Sequence, residues 1–228
     1  MRGLLSATVM SAAVLIFSTI VSPAAVNAAV ASALSQDPII FAQQSFNKIQ
    51  SYQVVMRSSS TAGERKIIRY SYKKPGYVRM DFTQPHAGAV LTYNPVSARV
   101  TLWPFGVGTL PVLNLSPTNS VIQDEHGHRV DRSDIGVLLG NIQSLQREGT
   151  TTTVGVENLS GRSVTHVSVV GPGTMVVDDV HRYDVWLDNY HGLPAKVVSY
   201  TLEGKPLETV LMDAMIVNLR FPADFFTP

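Results

Sequence analysis

The chain has 228 residues, of which 45% are hydrophobic and only 15% are charged. Its 18 lysine and arginine residues nearly balance 17 aspartate and glutamate residues, so charge gives no argument for binding to nucleic acid or to anionic membranes. Because the chain contains no cysteine, neither a disulfide framework nor a lipid anchor on a thiol is available to it.

The N-terminal segment has the pattern of a secretory signal. Arg2 precedes an apolar run over residues 4–21, and Pro23 is followed by small-residue segments that resemble cleavage sites. The run approaches the length of a membrane-spanning helix, so a retained anchor is the alternative. We expect residues 1–28 to be removed, with cleavage after residue 31 as the second candidate. Residues 29–228 are then expected to form a single, soluble periplasmic domain without a lipid anchor.

Hydrophobic periodicity divides the rest of the chain into helices and strands. Asp37-Pro38 has the form of a helix start, and apolar residues then recur at helical spacing until about Ser51. Period-two segments rich in β-branched and aromatic residues follow, and short turns between them favour antiparallel neighbours. The predicted strands span residues 52–58, 64–72, 77–83, 89–93, 98–103, 151–159, 163–170, 183–188, 195–202 and 207–217.

Two segments depart from the strand pattern. Residues 103–117 mix large apolar residues with five prolines and glycines and are predicted to form an irregular lobe that covers part of the molecule. Ser133 is predicted to cap a second helix. The apolar stripe of this helix comprises Ile135, Leu138, Leu139, Ile142 and Leu145. We therefore expect a mainly β protein, with two or three helices on one face of a strongly curved sheet of about ten or eleven strands.

Motifs for catalysis and metal binding are weak. The chain has no Gly-x-Ser-x-Gly elbow, and no carboxylate pair stands out as an acid and a base, so we expect no enzymatic activity and no catalytic residue. His126 and His128 lie among carboxylates and form the one candidate metal site. A solvated turn explains the same segment, because it is hydrophilic and no distant third ligand is evident. We therefore expect neither a metal nor a cofactor.

An ordered set of motifs resembles the LolA family of periplasmic lipoprotein carriers. In chain order the motifs are Tyr-Lys-Lys-Pro-Gly-Tyr-Val-Arg-Met at 72–80, Thr-Gln-Pro at 83–85, Val-Thr-Leu-Trp at 100–103, Val-Trp-Leu-Asp at 185–188, Gly-Leu-Pro at 192–194, and Phe-Pro through Phe225 at 221–225. The last three look like the tail pattern of the wider LolA-like superfamily. Each motif is common by itself, and their order and spacing carry the resemblance.

The resemblance implies an unclosed antiparallel β-barrel whose helices form a lid over an apolar cavity for acyl chains. It also implies a carrier, expected to be a monomer, that moves acylated lipoprotein or lipid cargo from an inner-membrane release complex to an outer-membrane acceptor. In the carriers an arginine directly before the turn proline fastens the closed lid, and Lys74 occupies that position here. Lysine lacks the fixed guanidinium fork, so the predicted latch is weaker, or the cargo differs.

We predict that the acyl chain lies between the strands and the second helix. The predicted cavity residues are Met56, Ile68, Met80, Phe82, Leu91, Leu102, Phe105 and Trp186. The apolar stripe of the second helix provides the lid, and Lys74 is its candidate latch. Two alternatives remain: a LolA-like envelope sensor that regulates a membrane partner, and a metal-dependent hydrolase that rests on the His126–His128 segment alone.

Overall fold

The computed structural model describes residues 37–61, 63, 65–123 and 127–228, and residues 37–228 fall in one compact unit. Its helices are α1 (Pro38–Lys48) and α2 (Ile135–Gln146). The strands are β1 (Ser51–Ser60), β2 (Arg65–Lys73), β3 (Tyr77–Gln84), β4 (Val90–Asn94), β5 (Arg99–Trp103), β6 (Leu113–Leu115), β7 (Thr150–Leu159), β8 (Arg162–Val170), β9 (Arg182–Asp188), β10 (Pro194–Tyr200) and β11 (Pro206–Val217). Short 3-10 helices span Ser120–Ile122 and Val130–Arg132.

All eleven strands belong to one antiparallel sheet, in the order β6-β5-β4-β3-β2-β1-β11-β10-β9-β8-β7. Neighbours in the sheet are also neighbours in sequence, except that β1 pairs with β11 and so joins the two halves. β6 and β7 are the edges, and within the described chain nothing pairs them with each other. The protein is therefore mainly β, and its sheet is antiparallel and unclosed, as the sequence predicted.

One face of the sheet is covered by both helices. Ile39 of α1 and Leu139 of α2 are fully buried in a cluster that also contains Tyr70 of β2, Val100 of β5 and Val185 of β9. Because side chains alternate between the two faces of a strand, this single cluster marks one continuous apolar face, called the concave face below. The helices bury their apolar stripes against it, and this burial is the main core of the protein.

The start of α2 differs from the prediction by one residue. Asp134, and not Ser133, caps the helix, because its Oδ1 accepts hydrogen bonds from the backbone N–H groups of Gly136 (2.7 Å) and Val137 (3.3 Å). The Ser133 hydroxyl instead donates to the carbonyl of Val130 at 2.8 Å. Both residue types are good caps, and the tertiary contacts of Ser133 decide between them.

Some predictions fall outside the described residues. These are the signal segment, residues 1–28, its cleavage site, and His126 of the candidate metal segment. Among the residues that the structure does describe, no helix combines the length and the apolar character needed to cross a membrane.

The two helices approach each other closely at Gly136, where an added Cβ would overlap the ring of Phe46. We predict that Gly136→Ala lowers the free energy of unfolding by about 1–3 kcal/mol, the usual cost of overpacking. Gly140→Ala is the matched control in the same helix, because a Cβ there meets nothing within 4 Å. It should instead raise stability by up to about 1 kcal/mol through helix propensity.

Urea denaturation of the two variants beside the parent chain measures both effects. Equal stability of the Gly136 and Gly140 variants would show that the two helices do not pack as described.

Candidate functional site

Two neighbouring rows of apolar side chains cross the concave face, as the strand pairing shows. The first row is Leu113, Leu102, Leu91, Met80, Tyr70 and Val54, each paired with the next across adjacent strands. The second row is Phe82, Ile68, Met56 and Met212. Six of the eight predicted cavity residues lie on these rows: Met56, Ile68, Met80, Phe82, Leu91 and Leu102. The structure therefore brings them together on one face.

The helices cover these rows unevenly. Val54 and Leu91 are buried, whereas Met56, Ile68, Met80, Phe82 and Leu102 are only half-buried. We call these five residues the open strip. They form an apolar surface that continues from beneath α2 to solvent, and an apolar surface of this kind is suited to an apolar ligand.

Beneath α2 there is little free space. The cavity between α2 and strands β1 and β11 has a volume of about 20 Å3, and Val54, Met56, Leu138 and Met212 are among the residues that line it. This volume holds about one water molecule. An acyl chain would fit only if α2 moved.

The predicted lid residues are the part of α2 that fills the concave face. Ile135, Leu139, Ile142 and Leu145 are at most 3% exposed, and Leu138 is half-buried. The stripe thus fills the space between α2 and the sheet.

Two buried tyrosines fasten the N-terminal end of α2. The hydroxyl of Tyr52 accepts a hydrogen bond from the backbone N–H of Ile135 at 3.2 Å. The hydroxyl of Tyr70 lies 2.9 Å from the Ser133 Oγ, and it is the donor because Ser133 gives its own proton to Val130. Burial raises the pKa of Tyr52 and of Tyr70 far above the ordinary tyrosine value, so both hydroxyls remain protonated. We call this pair the tyrosine latch.

Other polar attachments of α2 involve Asn141, Gln146 and the preceding Arg132. The side chain of Asn141 donates to Asp178 Oδ2 at 2.8 Å, and Arg132, just before the helix, contacts the same carboxylate at 3.4 Å. At the other end, the side chain of Gln146 donates to Asp37, the residue that caps α1. These contacts are half-exposed, so water can replace each of them when α2 moves.

The predicted latch residue Lys74 lies at α1. Its Nζ donates to the carbonyls of Asn47 (2.8 Å) and Phe46 (3.4 Å) and lies 5.4 Å from the centre of the Phe46 ring. Lys74 therefore holds the C-terminal end of α1, where the free carbonyls of a helix favour a cation. The tyrosine latch on α2 was missed from the sequence, although a tyrosine buried in a strand requires a hydroxyl partner.

Two predicted cavity residues lie elsewhere. Phe105 is 71% exposed on the loop between β5 and β6, so this part of the predicted lobe projects into solvent, whereas Leu113 and Leu115 of the same lobe pack on the sheet. Trp186 lies in a separate cluster with Val164 and Val198, on the opposite face of the sheet from Val185. Alternation along β9 explains the difference, because Val185, Trp186 and Leu187 are all apolar and their pattern does not reveal which face is inner.

On that face the side chain of Trp186 makes several specific contacts. Its Nε1 donates to Glu157 at 2.8 Å, the ring of His166 stacks on it at 4.0 Å, and the Lys196 Nζ lies 4.0 Å from its ring centre. These contacts give it a structural role on the outer face.

A second cavity, of about 230 Å3, has charged groups in its wall beside the apolar Val180 and Leu207. Its lining includes His128 and the carboxylates of Asp178, Asp179 and Glu208. Charged walls do not suit an acyl chain, because carboxylates lose their hydration when an apolar group covers them. In the part of the chain that is described, no cluster of three or more His, Asp or Glu side chains could hold a metal ion.

We predict that Tyr70→Phe loosens α2, because the variant keeps the ring and removes the hydrogen bond to Ser133. The local cost should be about 0.5–1.5 kcal/mol. Amide hydrogen exchange across α2 should therefore become several-fold faster, while exchange in the strands distant from β2 stays unchanged. Tyr77→Phe is the control, since the Tyr77 ring packs on Phe226, away from α2. Unchanged protection of α2 in the Tyr70 variant would contradict the latch.

Comparison with known proteins gives matches of structure only. No protein-family model and no curated protein matches the chain. Among solved structures, a LolA superfamily protein from Nitrosomonas europaea is 11% identical, with a TM-score of 0.36, over 84% of this chain and 96% of that one. Lipoprotein LppX of Mycobacterium tuberculosis is 11% identical, with a TM-score of 0.47, over 83% of this chain and all, 100%, of that one.

A third similar structure is that of the Pseudomonas aeruginosa MucA/MucB complex, at 14% identity and a TM-score of 0.44. The match covers 82% of this chain, which spans 60% of the length of the matched chain. At such identities and TM-scores the likeness concerns the fold and decides nothing about function. One of the similar solved structures is thus of a LolA superfamily protein, the family whose motifs the sequence resembles.

Proposed function

We propose that the protein binds the acyl chains of lipids or lipoproteins between the open strip and α2, in a cavity that forms when α2 leaves the concave face. One observation carries the proposal: the apolar concave face extends beyond the cover that the helices provide. The open strip is half-buried, and its residue Met56 lines the small cavity beneath α2 together with Val54 and Leu138. A ligand chain that lies on the strip can therefore extend under α2 without crossing a polar barrier.

The free energy needed to expose the α2 stripe is similar to the free energy gained by burying an acyl chain. Exposing the four buried side chains of the α2 stripe costs roughly 6–12 kcal/mol, at about 1.5–3 kcal/mol each. An acyl chain that brings about ten methylenes into the same space returns ~8 kcal/mol, at ~0.8 kcal/mol each. The ligand can thus replace the stripe, and the stripe can replace the ligand, so that both uptake and release are accessible.

The walls of the site are rich in methionine. All five methionines among the described residues belong to the buried cluster on the concave face or pack against it: Met56, Met80, Met175, Met212 and Met215. Methionine is unbranched and polarisable, and it adapts to irregular apolar shapes. A wall of this composition supports a cavity that changes shape as α2 leaves.

Carriage of acylated cargo is the wider part of the proposal. Binding and release need no covalent chemistry, only the movement of α2, and this fits a periplasmic carrier. Delivery from an inner-membrane release complex to an outer-membrane acceptor stays a prediction, as do the export of the chain and its action as a monomer.

We predict that a carboxylate placed on the open strip weakens acyl binding. Phe82→Glu and Met56→Glu should each raise the dissociation constant of a fluorescent fatty acid by about tenfold or more, because a buried charge must be desolvated. Both side chains are half-buried, so the fold should survive, which far-UV circular dichroism checks. Ile216→Glu is the matched control: Ile216 is 52% exposed on the same sheet and pairs with Gln53, on the face opposite Tyr52 and Val54.

The control should bind the fatty acid as the parent chain does. Parent-like binding by both strip variants would refute the proposed site, and equal losses in all three variants would assign the effect to general destabilisation.

A further inference from the structure

The loop between β5 and β6 projects large apolar side chains into solvent. Leu110 is 83% exposed, Phe105 71%, Val107 42% and Val112 39%. We call this loop, residues 104–112, the β5–β6 tip. No residue from Val100 to Leu113 carries a charge. Exposed apolar side chains are common singly, but four in one short uncharged loop form a surface that water disfavours.

The backbone of the tip satisfies part of its own hydrogen bonding. The N–H of Gly106 donates to the carbonyl of Trp103 at 3.3 Å, and the N–H and hydroxyl of Thr109 both donate to the carbonyl of Gly106, at 3.2 and 2.6 Å. Pro104 and Pro111 have no N–H to satisfy. The tip can therefore leave water at a smaller cost than an ordinary loop, because fewer backbone groups lose a partner.

The tip stands at the end of the sheet where the open strip meets solvent. Trp103, the last residue of β5, pairs with Val90, next to the β3–β4 turn. That turn approaches the tip, since a Cβ on Gly106 would lie 3.4 Å from the carbonyl oxygen of Gly88. Phe82 of the open strip lies two residues before Gln84, where β3 ends. The strip and the tip thus share one end of the sheet.

We propose that the β5–β6 tip inserts into the surface of a phospholipid bilayer and holds this end of the sheet against the membrane. A bilayer fits the tip better than a protein partner does, because the tip is a narrow projection without a charge or a groove that a protein could match. Insertion needs no shape complementarity and gains the burial of four apolar side chains. The near balance of 18 basic and 17 acidic residues makes this attraction hydrophobic and insensitive to salt.

A fluorophore placed on the tip tests the insertion directly. The chain has no cysteine, so Leu110→Cys provides a single attachment point for an environment-sensitive dye. With vesicles of equal parts phosphatidylethanolamine and phosphatidylglycerol, the dye emission should shift to the blue and be quenched by lipids brominated on their acyl chains. Val96→Cys is the control: Val96 is 80% exposed in the β4–β5 turn, at the opposite end of the sheet, and its dye should not respond.

The second readout is the partition of the protein between buffer and vesicles. The protein is purified in the form that cells produce. Phe105→Asp combined with Leu110→Asp should lower the vesicle partition coefficient by about tenfold or more, at low and at high salt, whereas Val96→Asp leaves it unchanged. Binding of the fluorescent fatty acid in the absence of vesicles should stay as in the parent chain, which separates this proposal from the acyl site. A dye on the tip that responds no more than the dye at Val96, or binding that salt abolishes, would overturn the proposal.

Discussion

Mutual burial of the α2 stripe and the concave face of the sheet is the constraint on which the rest of the structure depends. An open antiparallel sheet has no second sheet to cover its inner face, and within the described chain α1 and α2 provide that cover. Neither surface tolerates water, because Leu139, Ile142 and the facing Tyr52 are almost fully buried. If α2 leaves, another apolar body must take its place, and an acyl chain is a body of that kind.

The two helices are not equally free to move. Between α1 and β1 lie only residues 49–50, and the capping contacts of Asp37 and Lys74 hold both ends of α1. α2 follows a long segment, residues 116–134, whose described residues form only short 3-10 helices. Its polar attachments, the tyrosine latch among them, contribute about 1 kcal/mol each. We therefore propose that the N-terminal end of α2 is the part that opens, above the small cavity and the open strip.

Period-two alternation predicted the strands and the shared face of the open strip, most clearly in β3, where Met80 and Phe82 alternate with Arg79, Asp81 and Thr83. It failed where the pattern is ambiguous. Trp186 lies between two apolar residues, so alternation does not show which face of the sheet it occupies. β6 was not predicted, because it is only three residues long and lies in a segment of prolines and glycines. The tyrosine latch and the contact of Lys74 with α1 depend on residues that meet only in the folded chain, which a single sequence does not encode locally.

Immobilising α2 tests the central claim most directly. Asn141 of α2 and Asp178 of the β8–β9 loop are in contact, so Asn141→Cys and Asp178→Cys in this cysteine-free chain place two thiols for a short, cleavable cross-linker. Binding of a fluorescent fatty acid is measured in the double variant before cross-linking, after it, and again after cleavage of the link. The opening of α2 predicts that binding is lost on cross-linking and returns on cleavage. Undiminished binding by the cross-linked protein would contradict it.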